Sequence, residues 1–414
     1  MNRRMSRNRL NIGVYTLTAN ARTEQHIADL ADAGVDFVVC IDDDRAALDL
    51  FEKYGIGAIV SGVVPGWWGG FGDNAGQMAA TNPLEKYAAA AAAFTDHPAI
   101  WGIDVGDEPS ALDFPHYGRV INQVETQFPN QFAYLNLYPN YASVSQNDAQ
   151  ETVNQLGTAT YQEHIQRYCQ CVTSDYLCYD FYLYAINTSK HYENLRVVSE
   201  ACQKTGRSMW IVLQINSSRP QETMSLNKLR FQAYTSMAFG AENIIWACYT
   251  ANEVDGWWYN QVLDDNGNKT ERYDMLKQVN AEIHTMAEEY MRYRRVSTHF
   301  VGFEGHEDMR FVKQLAIDSL STGVFFDVKA DDGSPIVVGQ MVSKENDGRS
   351  ALMICAADDH HEVAPKTYHI IFTAAQGKAV QAFSGKGRLP VEKMQNNSYR
   401  VEISSNEGVL ITAK

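Results

Sequence analysis

Several signatures of common enzyme classes are missing from this chain of 414 residues. No Gly-x-Gly-x-x-Gly turn follows the first predicted strand and no Walker loop occurs, which disfavours dinucleotide and nucleoside triphosphate sites. No Gly-x-Ser-x-Gly elbow is present, and no Cys lies beside a His at a predicted strand end. His-x-His is also missing, which disfavours a metal amidohydrolase. The sequence therefore predicts no cofactor and no metal site.

Positive charge is scarce, with 35 Lys and Arg against 50 Asp and Glu and a net charge of -15. Nucleic acid is disfavoured as a partner, because binding phosphates needs clustered cations. The one basic cluster, at Arg3, Arg4, Arg7 and Arg9, reads as a solvated tail. No apolar stretch follows it that could form a signal-peptide core or a membrane span. The compartment stays open between export, with a signal absent from this chain, and the cytoplasm.

Cysteine is limited to seven residues, an odd number. Cys40, Cys178 and Cys248 fall inside predicted strands, where buried thiols are common. Cys169 and Cys171 are too close for an ordinary bridge and lack zinc-site spacing. We expect reduced core thiols.

Strand-like apolar runs alternate with helix-like segments over the first 293 residues or so. Parallel neighbours need crossover helices, and eight strands is the number that closes a barrel. The sequence therefore predicts a (β/α)8 barrel, with a doubly wound open sheet as the structural rival. The predicted strands are Ile12–Leu17, Val35–Ile41, Ile56–Val64, Ile100–Val105, Phe132–Leu137, Tyr176–Tyr184, Met209–Ile215 and Asn243–Tyr249. A last helix is predicted at about Glu271–Arg292.

The pattern changes after Val296 to short alternating runs separated by turn residues. This is typical of an antiparallel β-sandwich. We therefore divide the chain into a barrel, residues 1–294, and a smaller C-terminal β-sandwich, residues 295–414. The predicted runs are Gly323–Lys329, Ile336–Val342, Ala351–Cys355, Thr367–Phe372, Ala379–Phe383, Tyr399–Ile403 and Val409–Thr412.

Two adjacent carboxylates, Asp107 and Glu108, follow the fourth predicted strand within Gly106-Asp107-Glu108-Pro109. Active sites of such barrels lie at the C-terminal ends of the strands. We therefore expect catalysis from Glu108 and substrate contact from Asp107. An acid that caps the next helix or forms a salt bridge is the structural alternative.

Other polar residues fall at the ends of the later strands. Alternation puts Asp180 and Tyr182 on one face of the sixth strand, and we expect Tyr182 to contact the substrate. An inward charge is costly unless paired, so Asp180 is either a catalytic group or a structural partner. The seventh strand ends near Gln214, an amide where an acid might be expected. Glu253 and Asp255 follow the eighth strand, either as substrate contacts or as solvated surface acids.

Tryptophan pairs follow the third and the eighth predicted strands. Indole rings in Gly-rich loops at a barrel mouth are poorly explained by the barrel core, and they suit stacking on the C–H faces of sugar rings. Packing of the loop rings on each other is the alternative for one member of each pair. Hydroxyls of a sugar could bond to polar groups at the end of the fifth predicted strand. The residues concerned are Trp67, Trp68, Trp257, Trp258, Asn136 and Tyr138.

Short stretches of the chain resemble the clan A glycoside hydrolases, which are (β/α) barrels often followed by a β-sandwich. They are Trp101–Pro109, Tyr179–Tyr182, Ile244–Tyr249 and Val409–Thr412. The resemblance implies that Glu108 is the acid/base glutamate of the fourth strand. It also implies a nucleophile at the end of the seventh strand, where this chain departs from the pattern with Gln214.

Glycosidic hydrolysis usually needs two carboxylates, about 5 to 5.5 Å apart for retention or about 6.5 to 9.5 Å for inversion. Asp180, Glu253 and Asp255 are the candidates for the second, and Asp180 is preferred because it is expected to face inward near the fourth strand. It could activate a water in an inverting route, and the amide of Gln214 could instead orient a substrate-assisted intermediate. The alternative function is a non-catalytic glycan-binding barrel; a barrel enzyme with a non-sugar substrate is a third, weaker option. The expected partner is an oligo- or polysaccharide.

Overall fold

Eight parallel strands make up the sheet in the first part of the chain. The computed structural model describes residues 4–6, 8–69, 74–142, 155–250, 258–357, 360–361, 364 and 366–414. The strands are β1 (Asn11–Tyr15), β2 (Phe37–Asp42), β3 (Gly57–Ser61), β4 (Ile100–Asp107), β5 (Phe132–Asn136), β6 (Tyr176–Phe181), β7 (Ser208–Gln214) and β8 (Ala241–Ala247). Their order in the sheet is β5-β4-β3-β2-β1-β8-β7-β6.

The two edges of this sheet meet beyond β5. A parallel bridge joins Leu137 to Tyr179, and the backbone N–H of Leu137 donates to the carbonyl of Cys178 at 2.9 Å. Closure removes the free edges that an open sheet would keep. The predicted (β/α)8 barrel is therefore confirmed, and the doubly wound alternative was wrong.

Helices surround the barrel, and most begin at a side chain that caps them. Each of Thr23, Asp44, Thr160, Asn187, Ser225 and Thr270 accepts a backbone N–H of the first turn. Such caps satisfy amides that the helix itself leaves unpaired. Within the described part of the chain no helix is long and apolar enough to cross a membrane. The helices are α1 (Glu24–Asp32), α2 (Arg45–Tyr54), α3 (Met78–Thr81), α4 (Leu84–Ala93), α5 (Phe114–Gln127), α6 (Tyr161–Cys171), α7 (Thr188–Thr205), α8 (Leu226–Ala238) and α9 (Glu271–Tyr290).

Strand β4 shows how the barrel positions its polar groups. Ile103 and Val105 belong to the large core that also contains Phe114 and Tyr117 of α5. Because side chains alternate along a strand, Asp104 points to the opposite side, into the barrel. The apolar half of β4 thus fixes its acidic half toward the barrel axis.

The C-terminal part consists of two sheets. Their strands are β9 (Tyr293–Val301), β10 (Ala316–Ile317), β11 (Phe325–Ala330), β12 (Ile336–Ser343), β13 (Ser350–Ala356), β14 (Thr367–Ala374), β15 (Val380–Ser384), β16 (Gly387–Leu389), β17 (Glu392–Lys393), β18 (Ser398–Ser404) and β19 (Gly408–Ala413). The strand orders in the two sheets are β10-β9-β12-β13-β19-β15-β16 and β11-β14-β18-β17. Phe325, Phe372 and Ile354 share an apolar core between them. The predicted β-sandwich is confirmed.

The sandwich packs directly on α8. Thr298 of β9 donates its hydroxyl to the carbonyl of Ala238 at 3.0 Å. Arg230 of α8 donates from Nε to Glu282 of α9 at 2.8 Å and lies 3.8 Å from Glu407 of the sandwich. Strand β9 begins at Tyr293, and the division of the chain between residues 294 and 295 stays a prediction.

The sixth strand ends earlier than its sequence pattern predicts. It stops at Phe181, and Leu183–Ala185 forms a 3-10 helix. The alternation therefore does not extend to Tyr184, whose backbone N–H donates to Gln214 Oε1 at 2.9 Å. Sequence periodicity missed this turn because the residues that follow Asp180, up to Tyr184, continue the apolar and aromatic pattern.

Candidate active site

Glu108 follows β4 in an unusual backbone conformation. Its φ is +42°, in the left-handed region that residues with a side chain rarely adopt. Its backbone N–H donates to the carbonyl of Asn136 at 2.9 Å. Its Oε2 accepts the indole N–H of Trp68 at 3.2 Å. Backbone strain of this kind collects at functional sites, and here it falls on the carboxylate that the sequence singles out.

The segment Trp67–Gly69 lies along the end of β4. Asp107 N–H donates to the carbonyl of Trp67 at 2.9 Å, and Gly69 N–H donates to the carbonyl of Asp107 at 3.2 Å. A Cβ at Gly69 would lie 1.9 Å from the carbonyl oxygen of Glu108. A Cβ at Gly106 would lie 2.3 Å from the carbonyl oxygen of Trp67. The two glycines therefore allow the close approach that brings Trp68 to Glu108.

The two tryptophans of this segment have different surroundings. Trp67 is partly buried, packs against the core, and donates its indole N–H to Asp113 Oδ2 at 3.3 Å. Trp68 is 46% exposed while its N–H reaches Glu108. Trp68 is thus the ring that remains presented at the barrel mouth beside the carboxylate.

Asn136, the last residue of β5, connects two carboxylates. Its Nδ2 donates to Asp107 Oδ1 at 3.1 Å and to Asp180 Oδ1 at 2.9 Å. Since both bonds end on one nitrogen, the two oxygens lie no farther apart than the sum of these distances, 6.0 Å. The structure therefore brings Asp107, Asp180 and Asn136 together, and it commits the amide nitrogen of Asn136 to the carboxylates.

Asp104 is a fourth carboxylate, which the sequence reasoning passed over. It accepts hydrogen bonds from Ser61 Oγ at 2.7 Å and from Gly106 N–H at 3.1 Å, and the Cys40 thiol lies 3.7 Å from it. The alternation along β4 carried the signal, because Asp104 lies between the apolar residues Ile103 and Val105.

The surroundings raise the pKa of every carboxyl group in this cluster. Burial, and then the charges of Asp180 and Asp107, raise the pKa of Glu108 well above its usual range. Burial and the charge of Asp107 raise the pKa of Asp180 to about 7. Burial raises the pKa of Asp107 to about 6, with a smaller contribution from Asp104, whose own pKa is raised by burial. The shift favours the protonated form of Glu108, which is the form a proton donor needs.

Aromatic groups surround Asp180. The rings of Tyr182 and Trp258 meet edge to face with centroids 4.5 Å apart. Tyr138 is buried, and Tyr141 packs on Phe181 at 5.3 Å. A hydrogen bond from Tyr141 lowers the pKa of Asp180 in opposition to burial and Asp107. Sequence reasoning missed Tyr141, which comes from the loop after β5.

Gln214 is fully buried and its amide is engaged within the fold. Its Oε1 accepts the backbone N–H of Tyr184 at 2.9 Å, and its Nε2 donates to the carbonyl of Asn216 at 3.2 Å. The same nitrogen lies 3.4 Å from Glu222 Oε1. Contact between Gln214 and a substrate stays a prediction.

Three of the predicted positions, Glu253, Asp255 and Trp257, lie outside the described residues. Within the described ranges, no group of three or more His, Cys, Asp or Glu side chains is arranged to hold a metal ion.

Replacing Gly69 by Ala tests the close approach at Glu108. The added Cβ would meet the Glu108 carbonyl at 1.9 Å, so the Trp67–Trp68 segment must shift. We expect a loss of stability of about 1 to 3 kcal/mol, measured by thermal unfolding, together with a lower turnover. Gly66→Ala is the matched control, because its Cβ meets nothing within 4 Å. Equal turnover and equal stability of the two variants would contradict this packing.

Comparison with known proteins gives matches only at the level of structure. No protein-family model matches the chain, and no curated protein does. A cycloisomaltooligosaccharide glucanotransferase from Paenibacillus sp., solved with cycloisomaltoheptaose, is 7% identical with a TM-score of 0.56, over 98% of this chain and 85% of that one. A glucosidase from Croceicoccus marinus is 11% identical with a TM-score of 0.46, over 98% and 96% of the two chains. At these identities the likeness concerns the fold alone.

Proposed function

We propose that this protein hydrolyses a glycosidic bond, with Glu108 as general acid and Asp180 as the second carboxylate. One observation carries the proposal: the carboxyl cluster at the C-terminal mouth of the barrel, in which one nitrogen of Asn136 bonds both Asp107 and Asp180 beside Glu108. Buried acids with pKa values pushed upward by one another are typical of catalytic sites. The glucanotransferase with the same fold supports a carbohydrate substrate.

The proposed reaction is a single displacement. Glu108 gives its proton to the glycosidic oxygen as the bond from that oxygen to the anomeric carbon breaks. Asp180 takes a proton from the water that attacks the anomeric carbon. The products are a hemiacetal and an alcohol, the alcohol carries the proton from Glu108, and Asp180 holds the proton from the water. Asp180 then releases its proton to solvent and Glu108 takes one up, which restores the starting protonation states.

Aromatic side chains at the mouth would hold the sugar. Trp68 is exposed beside Glu108, and Trp258 packs on Tyr182. Indoles in such positions stack on the apolar faces of pyranose rings. Asp107 would accept a bond from a sugar hydroxyl while its other contacts hold it in the cluster. We assign the substrate to the oligo- and polysaccharides, and we propose no cofactor and no nucleic acid partner.

A panel of 4-nitrophenyl glycosides tests the proposal. We expect release of nitrophenol from at least one member, with the product anomer followed by proton NMR in the first minutes. A first-formed anomer of inverted configuration agrees with a water-activating Asp180. Retained configuration would instead make Asp180 a nucleophile, and no turnover of aryl or natural oligosaccharides would refute the hydrolase.

A second candidate function is glycan binding without cleavage. The observation that favours it is Gln214, a buried and internally bonded amide at the end of β7 where related barrels place an acid. Under this alternative the tryptophans bind a glycan and the carboxyl cluster no longer reacts. Calorimetric titration with an oligosaccharide panel, followed by long incubation and product analysis, separates the two. Saturable binding with no product supports the alternative.

The pH dependence should report the carboxyl cluster. As the pH rises through about 7, Asp180 loses its proton and becomes a competent base, so kcat/KM should rise. Glu108 must be protonated to act, so kcat/KM should fall at the pH where Glu108, whose pKa is also raised, loses its proton. Asp107→Asn removes a charge that raises the pKa of Asp180. The rise of kcat/KM on the acidic side of the pH profile, called the acidic limb, should therefore move to lower pH by up to about one unit.

The control for this shift is Asp265→Asn, which removes an exposed carboxylate elsewhere on the chain. Its pH profile should coincide with that of the unmodified protein. An acidic limb that stays in place in Asp107→Asn would show that the charge of Asp107 does not act on the group that titrates.

A further inference from the structure

A cavity lies at the end of the barrel where the strands begin, opposite the end that carries the carboxyl cluster. Its volume is about 370 Å³, and its walls include Phe132, Tyr176 and Ser208, the first residues of β5, β6 and β7. Arg294 and Met341 of the sandwich complete it, so it lies at the junction of the two parts of the chain. This volume falls in the range of small-molecule sites. The cavity is separate from the carboxyl cluster, which lies at the other ends of the strands.

Apolar and aromatic residues make up part of the lining of this cavity. Tyr176 and Trp210 stack with centroids 4.2 Å apart, and Phe132 meets Trp210 edge to face at 5.4 Å. Met209 and Phe239 also line it and are buried. A flat apolar body would find complementary contacts here.

Cationic side chains outnumber the acids Asp175 and Glu242 in the lining of this cavity, although the chain as a whole carries a net charge of -15. Arg207, Arg294 and Arg295 line the cavity. Lys344 also lines it but is paired with Glu242 at 2.8 Å. The concentration of three arginines at one cavity of an acidic protein therefore calls for a partner of opposite charge.

Within the described ranges of the chain no ion pair joins these arginines to a carboxylate, although the charge of Glu200 acts on Arg295. Arg207 donates through Nη2 to the carbonyl of Val172, and Arg295 donates to Thr298 Oγ1 at 2.7 Å and to Gln203 Oε1 at 3.0 Å. Burial lowers the pKa of Arg295 to about 10, a cost that an incoming anion would relieve. Asp175 is, besides Glu242, an acid that lines the cavity, and it already interacts with other groups of the protein.

We propose that this cavity binds a small organic anion, with a single phosphate or carboxylate held by the arginines and a planar apolar body inside. Guanidinium groups match both anions through paired N–H donors. The apolar body accounts for the aromatic interior, which a bare inorganic ion would leave unused. This site is independent of the proposed hydrolysis, since it shares no residue with the carboxyl cluster.

Four probes test the proposal by calorimetric titration of the full chain. Phenyl phosphate and benzoate carry both features and differ only in the anion. Inorganic phosphate carries the charge alone, and benzyl alcohol carries the ring alone. We expect at least one of the first two to bind at least tenfold more tightly than either of the last two. Equal binding of benzyl alcohol or of inorganic phosphate would overturn the proposal, as would no binding of either aromatic anion.

Variants locate the site. Arg294→Gln should weaken binding of the preferred anion several-fold, and the double variant with Arg295→Gln should weaken it at least tenfold. Arg294 is exposed, and its side chain makes no hydrogen bond or ion pair to another described residue, so its replacement should leave the fold intact even if the double variant unfolds. Arg388→Gln, an exposed arginine away from the cavity, is the matched control. Unchanged affinity in Arg294→Gln would place the anion elsewhere and overturn the assignment.

Discussion

Replacing Glu108 by Gln should reduce kcat by about 100- to 10,000-fold, the contribution typical of a general acid. The amide keeps the shape of the side chain and still accepts the indole N–H of Trp68, but it has no proton to give at the glycosidic oxygen. Turnover is measured with a natural oligosaccharide, whose leaving hydroxyl needs a proton, and compared with the best aryl glycoside of the panel. The loss should be smallest for substrates with good leaving groups, because nitrophenolate needs little protonation to depart.

The fold should tolerate this change. Because the pKa of Glu108 is raised, the folded protein favours its uncharged form, and Gln is uncharged at every pH. Thermal unfolding should therefore show a midpoint at least as high as that of the unmodified protein. Glu304→Gln, outside the carboxyl cluster, serves as the control and should retain full turnover. Undiminished hydrolysis by the Glu108 variant would remove Glu108 from the mechanism.

Replacing Asp180 by Asn should remove activity while stabilising the protein at neutral and alkaline pH. Asp180 is 3% exposed, and its pKa is raised from 3.8 to about 7 by burial and by the charge of Asp107. An unfolded chain would ionise this group near pH 4, so the stability of the folded state falls as the pH rises from there through about 7. Asn has no such charge and can still accept the bond from Asn136.

The gain in the free energy of unfolding of Asp180→Asn over the unmodified protein should accordingly be absent below pH 4 and complete above pH 7. Its upper bound is about 4 kcal/mol, since each pKa unit corresponds to about 1.4 kcal/mol and part of the shift is shared with Asp107. Urea unfolding at pH 4 and pH 8 measures it, with Asp265→Asn as the control. A variant that is less stable than the unmodified protein at pH 8 would contradict the repulsion in the cluster.

Such a trade between stability and activity is expected where acids are held together for chemistry. The cluster gathers Asp104, Asp107, Glu108 and Asp180 in one barrel mouth, and none of the hydrogen bonds described for it comes from a Lys or an Arg. A purely structural acid would more commonly be paired with a cation. The absence of such a cation among these contacts favours the catalytic interpretation over a salt bridge at Glu108.

The sequence alone predicted the positions of the strands well, because the periods of two residues in strands and of 3.6 in helices are local properties. It failed at the end of the sixth strand, where an aromatic run continued past Phe181 into a 3-10 helix. Strand β9 was also missed, since Tyr293–Val301 carries two arginines that weaken its apolar pattern.

The sequence by itself determined the barrel, the sandwich and the position of Glu108 at the end of the fourth strand. Only the tertiary structure decided which groups lie near Glu108 and how they change the pKa of its carboxyl group. The bonds of Asn136 to Asp107 and Asp180 span 29 and 44 residues of sequence, and they form because closure of the barrel aligns the ends of β4, β5 and β6. The rise in the pKa of these acids follows from the same alignment, since burial and mutual repulsion depend on distances in space and not on order along the chain.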